Sequence, residues 1–93
     1  MIKSFADSDT EKVWERRFVR SLGPEVQRMA NRKLLILDAA DNINDLRVPP
    51  GNRLEQLKGD RAGQHSIRIN DQWTICFRWT LSGPEDVQVT DYH

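Results

Sequence analysis

The stretch that decides the fold is WTICFRWT, residues 73–80. Trp73, Ile75, Phe77 and Trp79 alternate there with smaller or more polar residues. A period of two is typical of a β-strand with one face against a core. The pattern predicts a strand with Arg78 on the face opposite that core. Cys76, the only cysteine, is interpreted as a small buried hydrophobe rather than a reactive thiol.

Weaker strands and tight turns flank this segment on both sides. Before it, residues 65–69 alternate around Ile67, a short strand is bracketed by Leu54 and Leu57, and a turn with two glycines spans 58–63. After it, a turn at 82–85 leads to a last strand around Val87 and Val89. Because short connections join neighbouring strands in space, we expect an antiparallel meander.

Two helices are predicted upstream of these strands. Ser8 and Glu11 have the spacing of a capping box, and the first helix is expected to run to 21–23 with Val13, Trp14 and Phe18 on its apolar face. A second helix begins at Pro24 and ends near Ala40. Residues 1–5 predict a short first strand. The predicted fold is therefore α+β, with an N-terminal strand and two helices packed on a small antiparallel sheet.

Composition restricts the class of protein. A chain of 93 residues suffices for a single domain over 1–93, and no stretch approaches the length of a membrane span. Its net charge is zero, although Arg16 to Lys33 carries six basic residues against Glu25. One cysteine forms no intrachain disulfide and no cysteine-based metal site. We expect a cytoplasmic protein with no cofactor, no metal and no membrane partner.

Several segments together resemble one family. They are MIKSF at 1–5, LKGDRAG at 57–63, Ser66-Ile67, the strand at 73–77 and the ending Asp91-Tyr92-His93. These resemble the HigB-type toxins of the RelE superfamily, also called plasmid-maintenance killer proteins. The resemblance runs from end to end and implies a RelE-like fold. It also implies ribosome-dependent cleavage of mRNA in the ribosomal A site, and a helix-turn-helix HigA-type antitoxin as partner in a hetero-oligomer.

The same residues suit metal-free RNA cleavage. Such cleavage needs a base for the 2′-hydroxyl proton, an acid for the leaving 5′-oxygen and cations for the phosphate charge. His93 is the candidate base, because imidazole titrates near neutrality. The other candidate catalytic residues are Asp91, Tyr92 and Lys58, and the candidate RNA-binding residues are Arg61, Arg78, Arg68 and Arg53. His65 is interpreted as a half-exposed histidine of the sheet.

Two positions depart from the family pattern. Some members carry a histidine where this chain has Glu55, and an arginine where it has Thr74. Threonine cannot supply guanidinium charge, so compensation by Arg78 or Arg68 is a hypothesis. One alternative is a toxin-like module that binds a ribosome or an antitoxin with weak or no RNA cleavage. Another is an interaction domain with an unrelated partner.

Overall fold

The computed structural model describes residues 1–91, and these form two α-helices followed by a four-stranded sheet. The elements are α1 (Ser8–Trp14), α2 (Pro24–Ala39), β1 (Glu55–Gln56), β2 (His65–Arg68), β3 (Thr74–Thr80) and β4 (Gly83–Thr90). Short 3-10 helices cover Ile43–Arg47, Pro50–Asn52 and Gly59–Arg61. The α+β fold class expected from the sequence is confirmed.

The sheet is an antiparallel meander in chain order, as predicted. Ile67 of β2 lies opposite Ile75 of β3, which lies opposite Val89 of β4. The expected N-terminal strand is reduced to one parallel bridge between Phe5 and Val87. The backbone of residues 3–6 nevertheless follows the edge of β4, because the Lys3 N–H donates to the Pro84 carbonyl at 2.8 Å and the Ala6 N–H to the Val87 carbonyl at 2.9 Å.

The first helix differs from the prediction at both ends. Asp7 is the N-cap, since its carboxylate accepts the Thr10 N–H at 2.8 Å, and Ser8 is the first helical residue. The helix ends at Trp14 instead of continuing to 21–23. Arg16 there has a positive φ of 62°, the Arg17 N–H reaches the Lys12 carbonyl and the Arg16 N–H reaches the Val13 carbonyl. This is a Schellman termination with arginine in the place that glycine usually takes.

The second helix follows the prediction, with Pro24 in its first turn and Ala39 as its last residue. Its Leu34 and Leu37 are fully buried against Ile67, Ile75 and Phe77 of the sheet. At 16 residues it is the longest helix of the described chain, and no helix in residues 1–91 combines the length and the hydrophobicity that crossing a bilayer requires.

Three aromatic side chains are less buried than the sequence suggested. Trp73 and Trp79 at the ends of the alternating stretch are half-buried, whereas Ile75 and Phe77 in its middle are fully buried. Phe18 is 67% exposed, because α1 stops before reaching it. Cys76 is fully buried on the side away from the helices, as expected.

Candidate functional site

The face of the sheet that is turned away from the helices, here called the outer face, carries the candidate site. Register places Glu55, Ser66, Cys76 and Gln88 side by side in one row across the four strands. The next row is Arg68, Thr74 and Thr90. Paired residues point to the same face of a sheet, so polar side chains from all four strands share this surface.

A cavity of about 400 Å³ opens at the Arg68–Thr74 end of the outer face. Its lining consists of Arg53, Glu55, Leu57, Ser66, Arg68, Asn70, Asp71 and Thr74. Two of the predicted RNA-binding arginines thus meet in one cavity. The two positions that depart from the family pattern, Glu55 and Thr74, line the same cavity.

The guanidinium of Arg68 is oriented by the loop that follows β2. Its Nε donates to the Asn70 carbonyl at 3.0 Å, and it forms an ion pair with the Asp71 carboxylate. The Asp71 side chain is 96% exposed, and exposed pairs of this kind contribute little to stability. A phosphate entering the cavity can therefore replace Asp71 as the partner of Arg68.

Arg61 lies over the middle of the outer face. It donates to the side-chain oxygens of Gln64 at 3.1 Å and of Gln88 at 3.0 Å, which ties the 58–63 turn to β4. Burial raises the pKa of the Cys76 thiol, and the nearby Arg61 charge partly offsets that rise. Arg61 is consequently a fixed cation above the row that contains Cys76.

Arg78 extends over the same turn from β3. A Cβ added to Gly63 would lie 2.9 Å from a terminal guanidinium nitrogen of Arg78, so glycine leaves the room that this side chain occupies. The Arg78 Nε also lies 3.8 Å from the Asp86 carboxylate. Thr74 and Arg78 are four residues apart on β3, roughly 13 Å at the rise of an extended strand. Of the two arginines considered as replacements at Thr74, only Arg68 lines its cavity.

The remaining predicted residues are placed as follows. Lys58 is exposed and precedes the 3-10 helix of the turn. Asp91 follows β4 directly, and its carboxylate accepts a hydrogen bond from the Gln72 amide at 3.2 Å. Tyr92 and His93 lie outside the described residues. His65 is half-buried in β2 and stacks on Phe77 with ring centroids 6.3 Å apart, in agreement with its interpretation as a histidine of the sheet.

Sequence reasoning missed several side chains that organise this surface. Ser66 shares the face of Arg68 by the period of two, so alternation could have found it. Gln88 lies between Val87 and Val89, so the same alternation could have placed it on the outer face, but no local pattern predicts its hydrogen bond with Arg61, 27 residues away. Asn70 and Asp71 lie between the two predicted strands, and no pattern predicts that they orient Arg68.

Comparison with known proteins agrees with this architecture. A family model described as the RelE-like toxin of type II toxin–antitoxin system HigB matches residues 3–93. The chain belongs to this HigB-like toxin family. The toxin HigB-1 of Vibrio cholerae is 42% identical over 80 residues, which cover 85% of this chain and 84% of that protein. The endoribonuclease HigB of Proteus vulgaris is 29% identical over 93 residues, the full length of both chains.

Membership of the HigB-like family makes this chain the toxin of a type II toxin–antitoxin system, so an antitoxin is its partner. The match starts at residue 3 and ends at residue 93, and therefore includes every element that forms the outer face.

Proposed function

We propose that this HigB-like toxin is a metal-independent, ribosome-dependent endoribonuclease that cleaves mRNA in the ribosomal A site and acts in the cytoplasm. The observation that carries the proposal is the arginine-lined cavity beside Thr90, the strand end from which the chain continues into Asp91, Tyr92 and His93. The Proteus vulgaris relative, matched over its full length, bears the name endoribonuclease. We also propose that the antitoxin is a helix-turn-helix protein of the HigA type in a hetero-oligomer.

The chemical step is a transfer at phosphorus. A base takes the proton of the 2′-hydroxyl, the 2′-oxygen bonds to phosphorus, the bond from phosphorus to the 5′-oxygen breaks, and an acid protonates that oxygen. We assign the role of general base to His93 and the orientation of His93 to Asp91. Tyr92 is assigned to contact the phosphate or a nucleobase of the RNA. A carboxylate can also act as a base, and Glu55 lies in the cavity.

The cations on the outer face suit the phosphates of a bound strand. Arg53 and Arg68 line the cavity, Arg61 lies over the middle, and Lys58 and Arg78 lie near the turn. Phosphate charge that develops during cleavage is stabilised by such fixed donors. The chain as a whole has no net charge, which favours a protein that meets its RNA on the ribosome over one that captures free RNA.

The second candidate is a toxin-like module that occupies its binding site on the ribosome or antitoxin with weak or no RNA cleavage. Two observations favour it. Thr74 supplies no charge to the cavity, and Arg68 is already engaged with Asp71 and Asn70. If this candidate is right, toxicity will persist without new mRNA ends.

In vitro cleavage on programmed ribosomes separates the two candidates. We expect the wild-type chain to produce new 5′ ends in the A-site codon. Deletion of His93 should abolish them, and Arg53→Ala with Arg68→Ala should slow cleavage by about 10² or more, since fixed cations stabilise the transition state. Arg47→Ala is the matched control, because Arg47 is exposed in a 3-10 helix and outside the cavity lining. Equal cleavage by wild type and the cavity variant would contradict the assignment of the cavity.

A further test addresses compensation at Thr74. The Arg68→Ala, Arg78→Ala double variant is compared with each single variant under the same conditions. Because only Arg68 lines the cavity with Thr74, we expect Arg68→Ala to cause most of the loss and Arg78→Ala little of it. A dominant effect of Arg78→Ala would assign the compensating charge to the turn instead.

A further inference from the structure

A second surface on the opposite side of the molecule has no role in the proposed chemistry. A groove of about 340 Å³ lies between α1, the segment that follows it and α2, lined among others by Val13, Arg16, Phe18, Pro24 and Arg28. We call it the α1–α2 groove. Val13 and Pro24 give it an apolar floor, and Phe18 stands in it with 67% of its surface exposed. An exposed aromatic ring over an apolar floor is a common mark of a protein-binding site.

The outward position of Phe18 is fixed by the backbone on both sides of it. The Gln27 side chain accepts the Val19 N–H at 2.8 Å and donates to the Arg17 carbonyl. Asn31 of α2 donates to the Val13 carbonyl at 2.9 Å, which holds the end of α1 against the same helix. Phe18 is therefore presented by an ordered loop, and a partner that binds it does not have to order that loop first.

The charge around the groove selects the chemistry of the partner. Residues 15–32 contain five arginines (Arg16, Arg17, Arg20, Arg28 and Arg32) and two glutamates. Only Arg17 of these has an ion-pair partner within residues 1–91, the neighbouring Glu15 at 3.5 Å. Of the other four, Arg16 and Arg28 line the groove, and neither has an ion-pair partner within the described residues. Arginine is enriched at protein interfaces, where its planar donors fit carboxylates.

The groove fits a peptide better than a nucleic acid. The Gln27 amide accepts from and donates to the toxin's own backbone, and the Asn31 amide nitrogen donates to the Val13 carbonyl, so these groups are occupied within the toxin. RNA recognition relies on hydrogen bonds to base edges together with stacking. A helix or extended segment with an apolar side chain and flanking carboxylates satisfies both the floor and the rim of the groove.

From these observations we infer that the α1–α2 groove is a docking site for an acidic, amphipathic segment of the antitoxin, with Phe18 as its apolar anchor. The inference rests on the chain being a type II toxin but not on its cleaving RNA. The groove lies on the helix side of the sheet, whereas the proposed RNA cavity lies on the outer face.

The test measures binding of the product of the adjacent reading frame to the full toxin. Phe18→Ala is expected to weaken binding by about tenfold or more, as for an aromatic anchor at the centre of an interface. Leu81→Ala is the matched control, because Leu81 is fully exposed in the turn between β3 and β4, and we expect it to change the dissociation constant less than about twofold. Both side chains are exposed, so each variant should retain the wild-type melting temperature.

Charge reversal provides a second, independent measurement. Arg16→Glu with Arg28→Glu should weaken binding further and flatten its dependence on salt, since exposed charge pairs are screened by ions. Lys3→Glu is the control, because Lys3 is exposed and only its backbone contacts β4. Equal binding by Phe18→Ala and Leu81→Ala, or no binding of that product by the wild-type toxin, would overturn the inference.

Two further outcomes would also overturn it and would identify another occupant. One is a concentration-dependent dimer of the free toxin that Phe18→Ala dissociates. The other is loss of ribosomal cleavage by free Phe18→Ala toxin with antitoxin binding intact. If the wild-type toxin proves unable to cleave RNA while Phe18→Ala still loses antitoxin binding, the function proposed above fails and the docking site stands.

Discussion

At the scale of single residues, Asn52 links the helical half of the chain to the segment that precedes the sheet. It is fully buried, and its side chain makes three hydrogen bonds: it donates to the Leu46 carbonyl at 3.1 Å and to the Val48 carbonyl at 3.3 Å, and accepts from Lys33. Burial lowers the pKa of Lys33, and the positive charge of the nearby Arg32 lowers it further. Asn52 thus satisfies two carbonyls and a partly buried ammonium at once.

We expect Asn52→Ala to lower the free energy of unfolding by about 2–4 kcal/mol, because buried polar groups lose their partner. Urea denaturation followed by circular dichroism measures the change. Asn44→Ala serves as the control, since Asn44 is exposed and accepts one hydrogen bond from Arg47. Comparable losses in the two variants would show that the buried network contributes nothing beyond an exposed hydrogen bond.

Cys76 predicts a dependence of stability on pH. Its pKa is raised above the ordinary value of 9.0 by burial, with Arg61 opposing the shift. Because the pKa is raised, the thiol makes its full contribution to the free energy of unfolding at any pH below the pKa that Cys76 has in the unfolded chain. That contribution is lost as the pH rises through the folded value, because the unfolded chain releases its proton first.

The corresponding experiment compares wild type with Cys76→Ala at neutral pH and above pH 9. At neutral pH the variant should be less stable by about 1 kcal/mol, a usual cost for truncating a small buried side chain. Above pH 9 the difference should narrow, since only the wild type loses the contribution of the protonated thiol. Other titrating groups are common to both proteins and cancel in the difference. A difference in unfolding free energy that stays constant across this pH range would refute the raised pKa of Cys76.

At the scale of elements, the N-terminal cap observed on α1 differs from the one that the sequence predicts. The sequence offers Ser8 and Glu11 as a capping box, yet Asp7 holds the Thr10 N–H and also accepts a hydrogen bond from Gln88 at 3.2 Å. Asp7→Ala should therefore cost about 1–2 kcal/mol of unfolding free energy. Ser8→Ala should stay within about 0.5 kcal/mol of wild type. Chemical denaturation of the pair decides the matter, and a larger loss in Ser8→Ala would restore the capping box.

The elements also show what local pattern could predict and what it could not. Period two located β2 and β3 closely, and Pro24 located the start of α2, because these signals depend on neighbouring residues. The end of α1 escaped prediction. Arg16 adopts a left-handed conformation with no glycine to signal it, and Gln27, eleven residues away, holds the chain that follows.

The candidate site also has parts that local sequence pattern could predict and parts that it could not. The alternation of β3 put Arg78 on the outer face correctly, and an arginine in β2 was available as a second candidate. Arg68 shares a cavity with Thr74 because the register of β2 with β3 pairs them. Arg78 lies over Gly63 through a contact between residues distant in the sequence. Neither is encoded in a window of a few residues.

At the scale of the whole molecule, the sheet separates the two surfaces to which we assign RNA cleavage and antitoxin binding. Arg53 and Arg68 belong to the cavity on the outer face, and Phe18 belongs to the groove on the helix side. Substitutions that share no partners are additive in most proteins. We expect Arg53→Ala with Arg68→Ala to change antitoxin binding by less than about twofold. Isothermal titration calorimetry with the adjacent gene product measures this, and a loss as large as that of Phe18→Ala would show that one partner spans both surfaces.

The two edge strands of the sheet have a consequence for the behaviour of the free protein at high concentration. β4, eight residues long, is flanked by the backbone of residues 3–6 and by the Thr10 hydroxyl, which accepts the Val89 N–H at 2.9 Å. The opposite edge strand, β1, has only two residues. Within residues 1–91, a strand from a neighbouring molecule would meet the two-residue β1 at one edge and the covered β4 at the other, and long unprotected edge strands are what fibrils grow from. Purified toxin, stored without its partner, should accordingly resist polymerisation.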